Sequence, residues 1–321
     1  MITTDLELAK NELISDNIIA IPTETVYGLA GNAYSETAVK KIFSLKKRPL
    51  YNPLIVHIKS ADFLPNVANE IPEIALKLAK AFWPGPLTLV LKKQPHIPDL
   101  VTSGKETVAI RVPNHPLTLR LLEQLDFPLA APSANPFGSI SPTTASHVFS
   151  YFENELNVIL DGGECQKGIE STIIGFENGQ PIIYRLGSLS VEHIEEKIGP
   201  VMHKTQSEDN SPIAPGMLSR HYAPSTDTFL TNDVESLTQF YQDKKIGVLL
   251  FQKRIHQIPI EYQEVLSESG DLNEAAKHLY AAMHRLDKLN LDLIIAERLP
   301  DIGLGKTMND KLERATKKSS F

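Results

Sequence analysis

Short apolar runs with a period of two take turns with amphipathic stretches of helical period through the first two hundred residues, the pattern of an α/β fold. Strands are predicted at 18–21, 54–58, 87–91, 107–112, 129–131, 158–160, 172–176 and 182–185. Helices are predicted at 6–14, 37–47, 71–81, 116–125, 144–151 and 191–197. The alternation also assigns faces. In 54–58, Leu54, Val56 and Ile58 share one face, so His57 points to the other with Ile55. In 107–112, Thr107, Ala109 and Arg111 lie opposite Val108, Ile110 and Val112. Pro84 to Pro86 and Pro132 to Asn135 are turn chemistry.

The text changes at 203–225, first a polar stretch and then Arg220, His221 and Tyr222 between prolines, which reads as a linker able to dock on a surface. Beyond it, strands at 228–230, 246–251, 264–266 and 291–296 alternate with helices at 234–241, 272–289 and 309–317, a small doubly wound domain. The predicted organisation is therefore a domain at 1–202, a linker or lid at 203–225 and a Rossmann-like α/β domain at 226–321. A length of 321 residues suits two cores, since one core stops growing near roughly 250 residues.

Composition narrows the chemistry. Hydrophobic residues at 42% and charged residues at 22% exclude a disordered chain. No apolar run approaches the roughly 18 residues of a membrane span and the start lacks a basic-then-apolar signal, so the expected address is cytoplasmic, with no membrane partner. Cys165 is the only cysteine, which excludes an intrachain disulfide and points to an inert thiol. The ten histidines have no metal-ligand spacing, so any metal is expected to arrive with a substrate. A net charge of −7 argues for weak or no direct nucleic-acid binding.

Several segments could carry chemistry, each with a structural alternative. Ile19 to Leu29 runs an apolar strand into Thr23, Glu24, Thr25, Tyr27 and Gly28, either a satisfied turn or a small-ligand site. Lys46, Lys47 and Arg48 end a helix closed by Pro49, either a solvated terminus that complements the helix dipole or a phosphate clamp. His57 is either a core histidine or a ligand contact. Arg111 needs an anion, either an internal carboxylate or a substrate one. Ala130 to Thr143 suits helix capping or nucleotide contacts, and Ser171 and Arg185 close the set. Gly303 to Thr307 mimics a P-loop, but Pro300 stands where the motif's first glycine belongs, so an ordinary loop is expected.

Taken in order, Pro22-Thr-Glu-Thr-Val-Tyr-Gly-Leu29, Lys46-Lys-Arg-Pro-Leu-Tyr-Asn-Pro-Leu-Ile-Val-His57, Trp83-Pro-Gly-Pro-Leu-Thr88, Arg111-Val-Pro-Asn-His-Pro116 and Ala131-Pro-Ser-Ala-Asn135 resemble the YrdC-type threonylcarbamoyl-AMP synthases. Glu170-Ser-Thr-Ile173 and Pro215-Gly-Met-Leu-Ser-Arg-His-Tyr-Ala-Pro224 resemble the long, two-domain form. The resemblance implies a YrdC-like twisted mixed sheet with flanking helices and synthesis of threonylcarbamoyl-AMP from ATP, L-threonine and bicarbonate. That product would feed a downstream threonylcarbamoyl-transferase complex acting on tRNA. It implies threonine contacts at Thr25, His57, Arg111, Ala131 and Ser171. It implies ATP contacts at Lys46, Arg48, Asn52, Thr107, Ser133, Asn135, Ser141 and Arg185, with Lys46 and Arg48 catalytic and Mg²⁺ carried in with ATP. Two departures stand out: Lys47 where the family often has glycine, and Leu218-Ser219 where tyrosine is frequent. The rival readings are a non-catalytic RNA-binding module of the same fold and carbamoyl transfer in hydrogenase maturation. The latter expects cysteine-rich zinc motifs that a single cysteine cannot supply.

Overall fold

A computed structural model describes residues 1–204, 214–217 and 221–316. Eleven strands form one mixed sheet in the order Ile2–Thr3, Ile159–Leu160, Ile19–Ile21, Gly28–Asn32, Leu129–Ala130, Ile55–His57, Thr107–Arg111, Leu87–Lys92, Thr172–Glu177, Gln180–Arg185 and Met202–His203. Near its middle, Ile55–His57 runs parallel to Thr107–Arg111 and antiparallel to Leu129–Ala130, in a register that sets His57 beside Arg111.

The predicted faces explain the layers. Leu54, Val56, Ile58, Val108, Ile110 and Val112 enter the main core together with Ile42 of helix Glu36–Lys46, Leu78 of helix Glu73–Phe82 and Ile194 of helix Val191–Ile198. On the opposite face Ile55, Val90, Ala109 and Tyr184 are covered by Ala214 and Met217 of the linker. The functional side chains therefore lie on the face that the linker covers.

Four parallel strands, in the order Thr228–Thr231, Leu293–Glu297, Ile246–Leu250 and Gln263–Val265, make the smaller sheet. Its helices Leu272–Asp287 and Leu304–Thr316 turn toward the first domain. There Leu279, Tyr280, Met283, Met308 and Leu312 share one apolar cluster with Val26, Ile140, Ile169 and Tyr222. The approach is close enough to require glycine at 168, where φ is +71° and a Cβ would lie 2.2 Å from the Lys277 carbonyl oxygen. Among the described residues no helix is long and apolar enough to cross a membrane.

Most predicted elements appear with ends shifted by one or two residues. Three strands are additional: Ile2–Thr3, Gly28–Asn32 and Met202–His203. The second reads Gly-Leu-Ala-Gly-Asn, poor in strand formers, and is held by pairing on both edges rather than by propensity. The last helix begins at Leu304 instead of 309, so most of the glycine-rich segment expected to be a loop is its first turn. Gly305 is packed so tightly there that a Cβ would sit 1.9 Å from the Pro300 carbonyl oxygen.

Candidate active site

Arg111 ends its strand buried, and each guanidinium nitrogen faces a polar partner. Nε donates to the Gly85 carbonyl at 3.1 Å, Nη1 donates to Thr25 Oγ1 at 2.9 Å, and Nη2 pairs with Glu24 at 2.6 Å. Glu24 also accepts from the Asn114 amide at 2.9 Å. Of the two partners the sequence allowed for Arg111, the internal carboxylate is present, in the residue next to Thr25. Beside the pair, His57 is buried with Nδ1 lacking a hydrogen-bond partner. Burial and the neighbouring Arg111 charge hold its pKa down at about 3, so at neutral pH it is uncharged and a poor base.

A second group is purely cationic. Lys46, the last residue of helix Glu36–Lys46, is not at a solvated helix terminus: it is 1% exposed, and Nζ donates to the carbonyls of Ser133, at 2.6 Å, and Asn135. Lys47 adopts the left-handed conformation that ends the helix and is itself exposed, so the family departure at this position adds only surface charge. Arg48 donates to the Asn52 carbonyl at 2.9 Å, Asn52 Oδ1 at 2.7 Å and the Pro53 carbonyl at 2.8 Å. Arg185 donates to the Ser171 carbonyl at 2.7 Å, Ser171 Oγ at 3.1 Å and the Pro215 carbonyl at 3.2 Å. None of these three buried cations has a carboxylate within ion-pair distance among the described residues. Burial, then the Arg48 charge, holds the Lys46 ammonium well below its usual range. Burial and Arg185 bring Arg48 down to about 9. Buried cations without an ion-paired carboxylate, with Glu170 lining the same cavity near Arg185, are electrostatically suited to an incoming polyanion.

One cavity joins the two groups. It is lined by Thr25, Arg48, His57, Arg111, Ala131, Ser133, Ser171 and Arg185, with Pro215, Gly216, His221 and Tyr222 of the linker above them. The space open to water is about 50 Å³, enough for a few waters and far short of a nucleotide. Asn52 Nδ2, His57 Nδ1, Asn135 Oδ1, His221 Nδ1 and Tyr222 Oη, on or next to this cavity, are buried without hydrogen-bond partners. Five such atoms around one cavity leave hydrogen-bonding capacity there for water or a polar ligand. The cover also needs glycine at 216: φ is +78°, and a Cβ would meet Tyr222 Oη at 2.7 Å and Arg185 Cδ at 2.8 Å.

Of the residues singled out from sequence, ten line the cavity. Lys46, Asn52 and Ser141 stand one hydrogen bond behind it, through Ser133, Arg48 and Glu170 respectively, and Asn135 stands two behind, through Lys46. Thr107 is apart, four residues before Arg111 on the same strand and so about 13 Å along it. Arg220 lies outside the described residues. Sequence reasoning left Glu24 and Glu170 without roles, although each adjoins an assigned residue inside a quoted motif. Cys165 is buried and burial pushes its thiol pKa up, which suits an inert role.

Other histidines share the neutral state of His57. His147 and His284 stack with ring centroids 4.0 Å apart between helices Ala145–Phe152 and Leu272–Asp287. Burial, with the charges of His284, Lys288 and Arg285 adding to it, brings His147 down to about 3; burial, opposed by the hydrogen bond to the Ser141 carbonyl and helped by Lys288, brings His284 down to about 4. The unfolded chain protonates these groups near pH ~6.5 while the native state does not. Stability is thus complete above that pH and declines as pH falls toward about 4, at up to ~1.4 kcal/mol per pH unit for each histidine held neutral. Urea midpoints are expected to drop steadily between about pH 6.5 and 5, and a flat profile over that window would contradict the neutral assignments.

Comparison with known proteins agrees with the geometry. Residues 11–187 match the family model Sua5_yciO_yrdC, described as Telomere recombination, and residues 189–316 match that described as Threonylcarbamoyl-AMP synthase, C-terminal domain. A relative from Pyrococcus abyssi named Threonylcarbamoyl-AMP synthase is 40% identical, over 97% of this chain and 94% of its own. One of the same name from Bacillus subtilis is 40% identical over 98% and 94%. The crystal structure of P. abyssi Sua5 complexed with L-threonine superimposes with a TM-score of 0.90 at 40% identity, covering 97% of this chain and 94% of that one. With both family models and full-length relatives in agreement, the chain belongs to the two-domain threonylcarbamoyl-AMP synthase family of Sua5/YrdC type.

Proposed function

We propose that this chain joins L-threonine, bicarbonate and ATP into threonylcarbamoyl-AMP with release of pyrophosphate, the first step of threonylcarbamoyl-adenosine formation in tRNA. The observation that carries this reading is the meeting, in one cavity, of an uncharged histidine beside a carboxylate-paired arginine with two buried cations, Arg48 and Arg185, that have no ion-paired carboxylate among the described residues, and with Lys46 one hydrogen bond behind them. The first half suits an amino acid and the second a polyphosphate.

The amine of threonine takes up CO₂ to give an N-carboxylate, whose oxygen attacks the α-phosphorus as the bond to pyrophosphate breaks. No protein nucleophile is needed, so the side chains position and neutralise. Thr25, His57, Arg111, Ala131 and Ser171 hold threonine, with neutral His57 orienting rather than removing a proton. Lys46, Arg48 and Arg185 take the charge of the phosphates, and Asn52, Ser133, Asn135 and Ser141 shape that half. Thr107 is within reach only of the far end of an extended nucleotide. Among the described residues no group of three acidic, histidine or cysteine side chains could hold a metal, and both Glu170 oxygens are taken by Ser141, Tyr280 and Lys311. Mg²⁺ enters with the substrate, as Mg-ATP.

His221 and Tyr222 act with Arg220 as a lid between the domains at 1–202 and 226–321, a reading supported by the place of His221 and Tyr222 in the cavity lining. The product leaves for a threonylcarbamoyl-transferase acting on tRNA, in the cytoplasm. Mass spectrometry of the products from ATP, bicarbonate and threonine tests the reaction, and pyrophosphate released without threonine would refute it. Cutting the chain near Asn210 is expected to lower turnover, and an unchanged rate would remove the lid.

A further inference from the structure

We propose that Lys311, on the last helix of the second domain, is a positioning residue for the ATP half of the site, acting through Glu170 and Tyr222. This rests on the synthase reading and gives the second domain a part in it.

Lys311 is 1% exposed. Its Nζ lies 3.1 Å from Glu170 Oε2 and 4.3 Å from the centre of the Tyr222 ring. Glu170 is gathered in from three sides: Ser141 Oγ donates to Oε1 at 2.6 Å, and the Tyr280 hydroxyl donates to Oε2 at 2.8 Å. Lys311 and Tyr280 come from the second domain, Ser141 and Glu170 from the first, and Tyr222 from the linker. The consequences reach the cavity by two short routes. Glu170 precedes Ser171, whose carbonyl and hydroxyl fix Arg185. The ring that Lys311 covers belongs to the tyrosine whose hydroxyl lies against Gly216 and closes the cavity over Arg185.

Stability does not account for such a pair, because a buried ion pair is often no better than an apolar replacement of the same shape. Its geometry does something an apolar group cannot. It occupies the Glu170 charge, leaving the Arg185 guanidinium to the phosphates, and it offers a cation to the face of the lid tyrosine. Burial alone would raise the Glu170 pKa. Lys311, Arg185 and the Ser141 hydroxyl outweigh that and keep it well below the usual carboxylate range. Without Lys311, the next cation sensed by Glu170 is Arg185, which would be drawn from substrate.

The test compares wild type, K311M, K311R and K311M/E170Q in the full chain. Mg-ATP and threonine binding are each measured by calorimetry on the otherwise empty protein, alongside steady-state kinetics. K311M is expected to weaken Mg-ATP at least tenfold, leave threonine within twofold, and raise the KM for ATP more than it lowers kcat. K311R should recover part of the ATP affinity. K311M/E170Q, which buries no unpaired charge, should regain thermal stability yet keep weakened ATP binding, because Tyr222 still lacks its cation. Should K311M not fold, the double variant decides alone. Wild-type ATP affinity in K311M, or full recovery of it in the double variant, overturns the proposal, as does equal weakening of threonine and ATP. These binding measurements stand even if wild type shows no threonine-dependent pyrophosphate release, an outcome that would remove the synthase reading instead.

Discussion

Replacing Lys46 with methionine is expected to lower kcat by about 10²–10³-fold while leaving thermal stability nearly unchanged. The size follows from removing one preorganised cation from charge that develops in a water-poor site. The stability argument runs the other way from most buried substitutions. In the empty protein Lys46 has no carboxylate partner among the described residues, and burial drives its ammonium toward the neutral form. Methionine relieves that desolvation, a cost of several kcal/mol for a charged group. It also deprives the Ser133 and Asn135 carbonyls of a donor, at about 1 kcal/mol each. The two effects oppose each other. Pyrophosphate release at saturating substrates, measured with calorimetric unfolding, checks both halves. Full turnover in K46M would show that the buried ammonium does not serve the reaction.

Arg111→Ala is expected to act on stability and on substrate together, and the two can be separated. Removing the guanidinium leaves Glu24 buried with its charge uncompensated, which costs on the order of 3–5 kcal/mol. It also takes away the hydrogen bonds to Thr25 and Gly85 at the end of the cavity proposed for threonine. R111M/E24Q removes both charges and should regain most of the stability. Threonine affinity should remain low in both variants, with ATP affinity much less affected. Calorimetric titration with each substrate reads this directly, and equal losses for threonine and ATP would contradict the division of the cavity into two halves.

Particular residues show how far the sequence was legible. Period-two alternation put His57 and Arg111 on the faces they occupy, and the ordered motifs named nearly every cavity residue. The same alternation could not say that these two strands are neighbours in parallel register, because register is a property of the pair. Gly28–Asn32 was invisible for a related reason, being a strand only because both of its edges are filled.

By itself, then, the sequence determined the α/β class, the two-domain architecture, the strand faces that hold His57 and Arg111, and the family. Local patterns suffice for these, since side-chain direction and turn geometry follow from neighbouring residues. The tertiary structure alone decided the charges: Glu24 as partner of Arg111, Lys46 buried rather than solvated, and Lys311 crossing from the second domain to Glu170. An ionisable group takes its character from what surrounds it at a few ångströms and from how much water is excluded, and distant segments of the chain supply both.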